Sequence, residues 1–234
     1  MKKFGFTLAE ILVALAIVGV VAAISIPTMV TENKKKVYAN SLSSAVSNLE
    51  NALTTVIITE GKTSICDINE WKGGYVEVFV ENILKKRMQL TMNDSYNIQE
   101  VKTLDKKGFF AGLNLEQEKG SGTAFDSKKG FTYVIFDKLY EGAGGFDNLR
   151  LSLPVALVAI DVNGNKKPNI LGRDVFLYIL NKDGYLFPYA GEEYNEFYGD
   201  NFNVHHYCDP NSNANKNGIT CAARLAQNGY KMDY

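Results

Sequence analysis

The feature that most limits what this chain can fold into is an apolar run from Phe6 to Ile26, reading FTLAEILVALAIVGVVAAISI. At roughly 1.5 Å per residue, a helix of this length spans the hydrocarbon layer of a bilayer. One residue is discordant. Glu10 lies inside the run, where a carboxylate costs roughly 3 kcal/mol on insertion scales, so it is a functional-site candidate by default. The plainer alternative is a hydrated carboxylate at the membrane interface.

Three ordinary identities compete for the segment. A secretory signal peptide also begins with basic residues such as Lys2 and Lys3, and Val21-Ala22-Ala23 offers small residues for cleavage. Signal cores seldom carry a glutamate, however, and this run exceeds the usual core of roughly 7 to 15 residues. A buried core helix needs protein around its whole circumference. A plain membrane anchor accounts for the hydropathy but leaves Glu10 and the basic leader unexplained.

The stretch Lys2-Lys3-Phe4-Gly5-Phe6-Thr7-Leu8-Ala9-Glu10 resembles the processing site of type IV prepilins and type II secretion pseudopilins. It joins a short basic leader, a glycine at the cut, a phenylalanine that becomes the new N-terminus, a glutamate four residues on and an unbroken apolar helix. The resemblance implies that a membrane-embedded prepilin peptidase cuts between Gly5 and Phe6 and methylates the new amine. It implies an assembly role for Glu10, and it likens Pro27 to the family's helix-bending proline, whose missing N–H and ring clash disturb a helix. Other pilin or pseudopilin subunits and an inner-membrane assembly platform are the partners it implies.

Beyond Pro27 the periodicity changes. Tyr38, Leu42, Ala45, Val46, Leu49, Ala52, Leu53, Val56 and Ile57 recur at three- and four-residue intervals, which makes a single apolar stripe. One helix is therefore expected from Phe6 to about Thr59, on the order of 80 Å long, with Gly61 as its stop signal. The domain reading is a leader at 1–5, a transmembrane and assembly helix at 6–27, its amphipathic continuation at 28–60 and a globular head at 61–234.

Within the head, Tyr75, Phe79, Ile83, Leu84 and Met88 have helical spacing, with Lys85, Lys86 and Arg87 where cations suit a helix C-terminus. Between Thr91 and Gly130 several glycines interrupt the signal, and surface loops with a short strand are expected. Phe131–Phe136, Pro154–Val162, Val175–Leu180 and Tyr185–Tyr189 are rich in β-branched and aromatic residues, and Asp183-Gly184 reads as a hairpin turn. An antiparallel sheet laid against the helix stripe gives an α+β fold.

Composition bounds the function. The 46% hydrophobic and 22% charged residues describe a folded chain. With 25 basic and 26 acidic side chains the net charge is -1, so no overall field points to nucleic acid and none is expected as a partner. Cys66, Cys208 and Cys221 form no zinc-type spacing. Cys208 and Cys221 bracket an Asn-rich polar segment and are expected to pair if the compartment is oxidising, leaving Cys66 as a small buried hydrophobe.

Asp161, Asn163 and Asn165, followed by Asn169 and Asp174, place oxygen-bearing side chains in one loop, the ligand type calcium prefers. The loop is not an EF-hand, and Asn and Gly also dominate turns for backbone reasons alone. His205 and His206, adjacent to each other, are poor joint ligands and read as surface residues. No nucleophile-elbow, zincin or phosphate-loop pattern appears, so no enzymatic activity is expected and no cofactor is required.

Lys2 and Lys3 favour a cytoplasmic N-terminus while Lys34, Lys35 and Lys36 favour the opposite. The resemblance places the chain in the inner or cytoplasmic membrane as a single-pass protein, with its head outside the cytoplasm in a periplasmic or surface filament. Two other readings stay open: a membrane-tethered binding domain that never polymerises, and a secreted protein behind an ordinary signal peptide.

Overall fold

The computed structural model describes residues 5, 7–72, 76–109, 122–136, 154–189, 207–209 and 217–234. The chain divides into two compact units, residues 1–37 and residues 38–234. A single helix, α1, runs from Leu8 to Thr59 with Pro27 inside it. Pro27 has no N–H to donate, yet helical hydrogen bonding continues on both sides, and the Thr31 hydroxyl donates to the Pro27 carbonyl at 2.9 Å. Gly61 ends the helix in a left-handed conformation, with its N–H on the Ile58 carbonyl at 3.1 Å and that of Lys62 on Ile57 at 3.0 Å.

In the second unit six strands form one antiparallel meander, β1 to β6 in sequence order. They are β1 Leu90–Met92, β2 Thr123–Ser127, β3 Thr132–Phe136, β4 Pro154–Asp161, β5 Val175–Asn181 and β6 Leu186–Pro188. Short helices α2 Asn69–Lys72, α3 Val76–Phe79 and α4 Lys85–Met88 precede the sheet, α3 and α4 being joined by a π-helical stretch, Val80–Leu84. A last helix, α5, covers Cys221–Gln227. The helix expected from Tyr75 to Met88 is thus present from Val76 onward, and Tyr75 itself lies outside the described residues.

The stripe of α1 packs on one face of the sheet. Leu42, Leu49, Leu53 and Val56 are fully enclosed there with Phe125, Tyr133, Ile135, Val158, Ile160 and Tyr178. Two polar contacts fix the pairing: the Tyr133 hydroxyl donates to the Ala45 carbonyl at 3.0 Å, and the Leu186 N–H donates to Glu50 Oε1 at 2.9 Å. The β5–β6 turn presses on the same helix. Gly184 has φ +87°, and a Cβ there would lie 3.2 Å from Leu53 Cβ and 3.3 Å from the Thr54 nitrogen, so glycine answers both the turn and the close approach.

The opposite face is also covered. Val134, Phe136, Leu157, Ala159, Leu177 and Ile179 are buried under Tyr96, Ile98, Val101, Phe109, Leu171 and Ile219. Two-sided burial explains why β3 and β5 are buried at every residue and read as continuous apolar runs instead of alternating ones. It also corrects the expectation of surface loops over Thr91–Gly130, while the short strand expected there is present as β2. Part of that stretch forms the lid of the second face, and β2 inside it pairs with β3 over Thr123–Asp126. Its signal was masked by Asp126, whose carboxylate accepts from Asn93 Nδ2 at 3.0 Å and from the Thr132 hydroxyl.

Because Leu53 is enclosed between helix and sheet, Leu53→Ala is expected to lower unfolding stability by about 2–5 kcal/mol. Denaturant titration of the full chain in micelles, followed by the near-ultraviolet dichroism of the head tyrosines, checks the magnitude.

Candidate functional site

The N-terminal unit carries the most constrained geometry. Thr7 and Glu10 form a reciprocal cap on α1: the Thr7 N–H and hydroxyl both donate to Glu10 Oε2, at 2.8 and 2.7 Å, and the Glu10 N–H reaches back to Thr7 Oγ1 at 3.3 Å. This is the Thr-x-x-Glu capping box, which satisfies backbone donors left open by a helix start. The spacing that makes it is visible in the sequence itself. Beyond it Leu12, Val13, Leu15, Ile17, Val18, Val20 and Ile24 are all exposed. Among the described residues, α1 is the one helix long and apolar enough to cross a membrane. Gly5 is described and exposed, while Phe6 lies outside the described residues.

A second polar constellation sits at the end of the sheet. Asp161 ends β4, and its register partners are Thr132 on β3 and Val175 on β5. The carboxylate is buried; Oδ2 accepts from the Tyr96 hydroxyl at 3.0 Å and Oδ1 from the Asn163 N–H at 3.1 Å. Asp174, fully buried, accepts from the Ile170 N–H and, at 2.9 Å, from the Arg173 guanidinium. Asn163 links the two elements, donating through Nδ2 to Asp174 Oδ2 and to the Tyr38 hydroxyl, both at 3.2 Å.

Burial pushes the Asp161 carboxyl up to about 7, against the pull of the Asn163 N–H and the Tyr96 hydroxyl. Burial likewise raises Asp174, opposed by Ile170 and Arg173. The oxygens Asn163 Oδ1 and Asn169 Oδ1 are buried without a hydrogen-bond partner, a costly condition that calls for an explanation. Of the expected loop residues, Asn165 is exposed and Asn169 is buried. Among the described residues no group of three or more His, Cys, Asp and Glu side chains is placed to hold a metal ion. His205 and His206 lie outside the described residues.

Cys208 and Cys221 are joined, with Cα atoms 4.9 Å apart, and both are fully buried. The bridge rests against the β4–β5 connection, since a Cβ on Gly172 would fall 2.5 Å from Cys221 Sγ. Cys66 is half-buried and free, and burial raises its thiol, as suits a packing residue rather than a nucleophile. Opening the 13-residue separation by Cys208→Ser together with Cys221→Ser is expected to cost about 3 kcal/mol in the chain-entropy model, measurable as a lowered denaturation midpoint, with a denaturant slope that is the same or steeper because the unfolded chain is less constrained.

Residues 1–26 match the family model described as the prokaryotic N-terminal methylation motif, the prepilin-type signature. No curated protein and no solved structure matches the chain.

Proposed function

We propose that this chain is a pilin-like filament subunit, cut between Gly5 and Phe6 by a prepilin peptidase, held in the membrane by the first part of α1 and assembled through that helix with other pilin or pseudopilin subunits. The observation that carries the reading is the methylation signature at residues 1–26 joined to a carboxylate in the first turn of an exposed apolar helix. The reading is structural and not enzymatic. It places the head outside the cytoplasm, where a disulfide is at home, in a type IV pilus or a type II secretion filament built on an inner-membrane platform.

Glu10 has the central part. Cleavage leaves it about one turn from the new amine of Phe6. A protonated amine on a neighbouring subunit attracts such a carboxylate by roughly 4 kcal/mol at 4 Å and an effective dielectric near 20, before desolvation is deducted. The pairing sets the axial stagger of adjacent helices. Glu10→Gln separates this charge from the cap, because glutamine also closes a capping box. Membrane-extracted protein is expected to begin at Phe6 with a methylated amine. The variant is expected to be processed and retained in the membrane with a folded head, yet to form few filaments when expressed alone. A start near Ile24 points to signal peptidase instead, and wild-type polymerisation of the variant overturns the pairing.

The buried cluster supports a second, separate proposal: a calcium ion in the head. Its donors are the Asp161 and Asp174 carboxylates with Asn163 Oδ1 and Asn169 Oδ1, the two oxygens that lack partners. The set is oxygen-only, which suits a hard cation, and the ion supplies the counter-charge that two desolvated carboxylates share only in part with Arg173. Such an ion binds the native state alone and so stabilises it. Millimolar calcium is expected to raise the melting temperature of wild-type protein but not of Asp161→Ala. Equal melting in calcium and in chelator leaves the loop a structural turn.

A further inference from the structure

A cleft in the head, distinct from both sites above, is built with one sign of charge. It lies between the polar edge of α1, the end of α4 and the β2–β3 turn, with a volume near 630 Å3, within the range of roughly 300–1,000 Å3 common to ligand clefts. Lys86, Arg87, Lys128 and Lys129 line it and no carboxylate does. All four are exposed, and among the described residues none is ion-paired.

Local structure accounts for part of this charge. Arg87 donates to the Thr59 hydroxyl at 2.7 Å, and Lys129 to Asn48 Oδ1 at 2.9 Å, so these two are aimed by contacts with α1. Cations also suit the C-terminus of the Val76–Met88 helical stretch. Neither reason brings Lys128 to the same cleft, nor explains why four like charges line it with no acid among them. The chemistry of the cleft calls for an anion.

The remaining walls choose among anions. Asn51 and Gln89 supply carboxamides, which can both donate to and accept from a peptide backbone, and Ala52 and Met88 supply an apolar surface. No aromatic ring lines the cleft, so it lacks the stacking platform that single-stranded nucleic acid uses. We propose that this cleft binds an acidic, extended peptide segment of a partner protein, its carboxylates on the four cations and its backbone on the carboxamides.

The test is fluorescence anisotropy of a labelled hexaglutamate peptide with the full chain in nonionic-detergent micelles at about 50 mM salt, where charge steering is strongest. Hexaglutamate is expected to bind. The double variant Lys86→Glu/Lys128→Glu, both exposed positions, is expected to weaken binding at least about tenfold while far-ultraviolet dichroism stays that of the parent. Lys34→Glu/Lys36→Glu, in the basic cluster of α1 outside the cleft, is expected to leave binding unchanged. Absence of binding, equal affinity in the cleft variant, or loss in the Lys34/Lys36 control overturns the proposal. So does displacement of the peptide by inorganic phosphate or hexathymidylate at lower concentration than by unlabelled hexaglutamate, which would make the cleft a phosphate site.

Discussion

Everything in the head depends on one act of burial, the stripe from Ala39 to Ile57 against the first face of the sheet. Large side chains on one helix edge gain roughly 25 cal/mol per Å2 of apolar surface removed from water. That gain is non-directional and would tolerate a sliding helix. The Tyr133 hydroxyl on the Ala45 carbonyl and Glu50 on the Leu186 N–H remove the freedom, because a slide of one turn leaves buried polar groups unpaired. Packing supplies the energy and two hydrogen bonds supply the register.

The second face imposes a different constraint. A sheet buried on both sides has no wet surface on which to place polar residues, so those on its inner strands must find partners. Asp126, Thr132 and Asp161 fall on consecutive strands in matched register. Asn93, Tyr96 and Asn163 come from the covering segments to meet them. The polar constellation is therefore a product of the architecture. Its two unmatched carboxamide oxygens are the part that architecture does not explain.

Much of this was legible in the residues. The apolar run, the stripe beyond Pro27 and the strands β3 to β6 all follow from periods of 3.6 and 2 or from dense β-branched content. Failures have a common cause. β1 and β2 are short, β2 carries an aspartate whose partners are Asn93, which comes from outside the hairpin, and Thr132 across the β2–β3 turn, and α5 is a seven-residue helix that begins at a disulfide-bonded cysteine. The loop from Asp161 to Asp174 was legible as a cluster of oxygen-bearing side chains, but the burial of Asn169 and the exposure of Asn165 follow from how the β4–β5 connection folds and not from composition. The Thr7–Glu10 cap is a local signal, a Thr-x-x-Glu spacing that needs no tertiary contact to form.

The order in which the chain is made gives the fold a timing problem. The strands form a meander, so each pairs with its neighbour in sequence as soon as both exist, a pattern of local contacts that favours fast folding. The helix is the exception. Glu50 meets Leu186 across 136 residues and Ala45 meets Tyr133 across 88. At roughly 5–20 residues per second of synthesis, the stripe of α1 waits on the order of ten seconds for the surface that will cover it. During that interval its leucines are bare, directly downstream of a segment that itself avoids water. A chain built this way carries its longest uncovered apolar edge first and acquires the surface that covers it last.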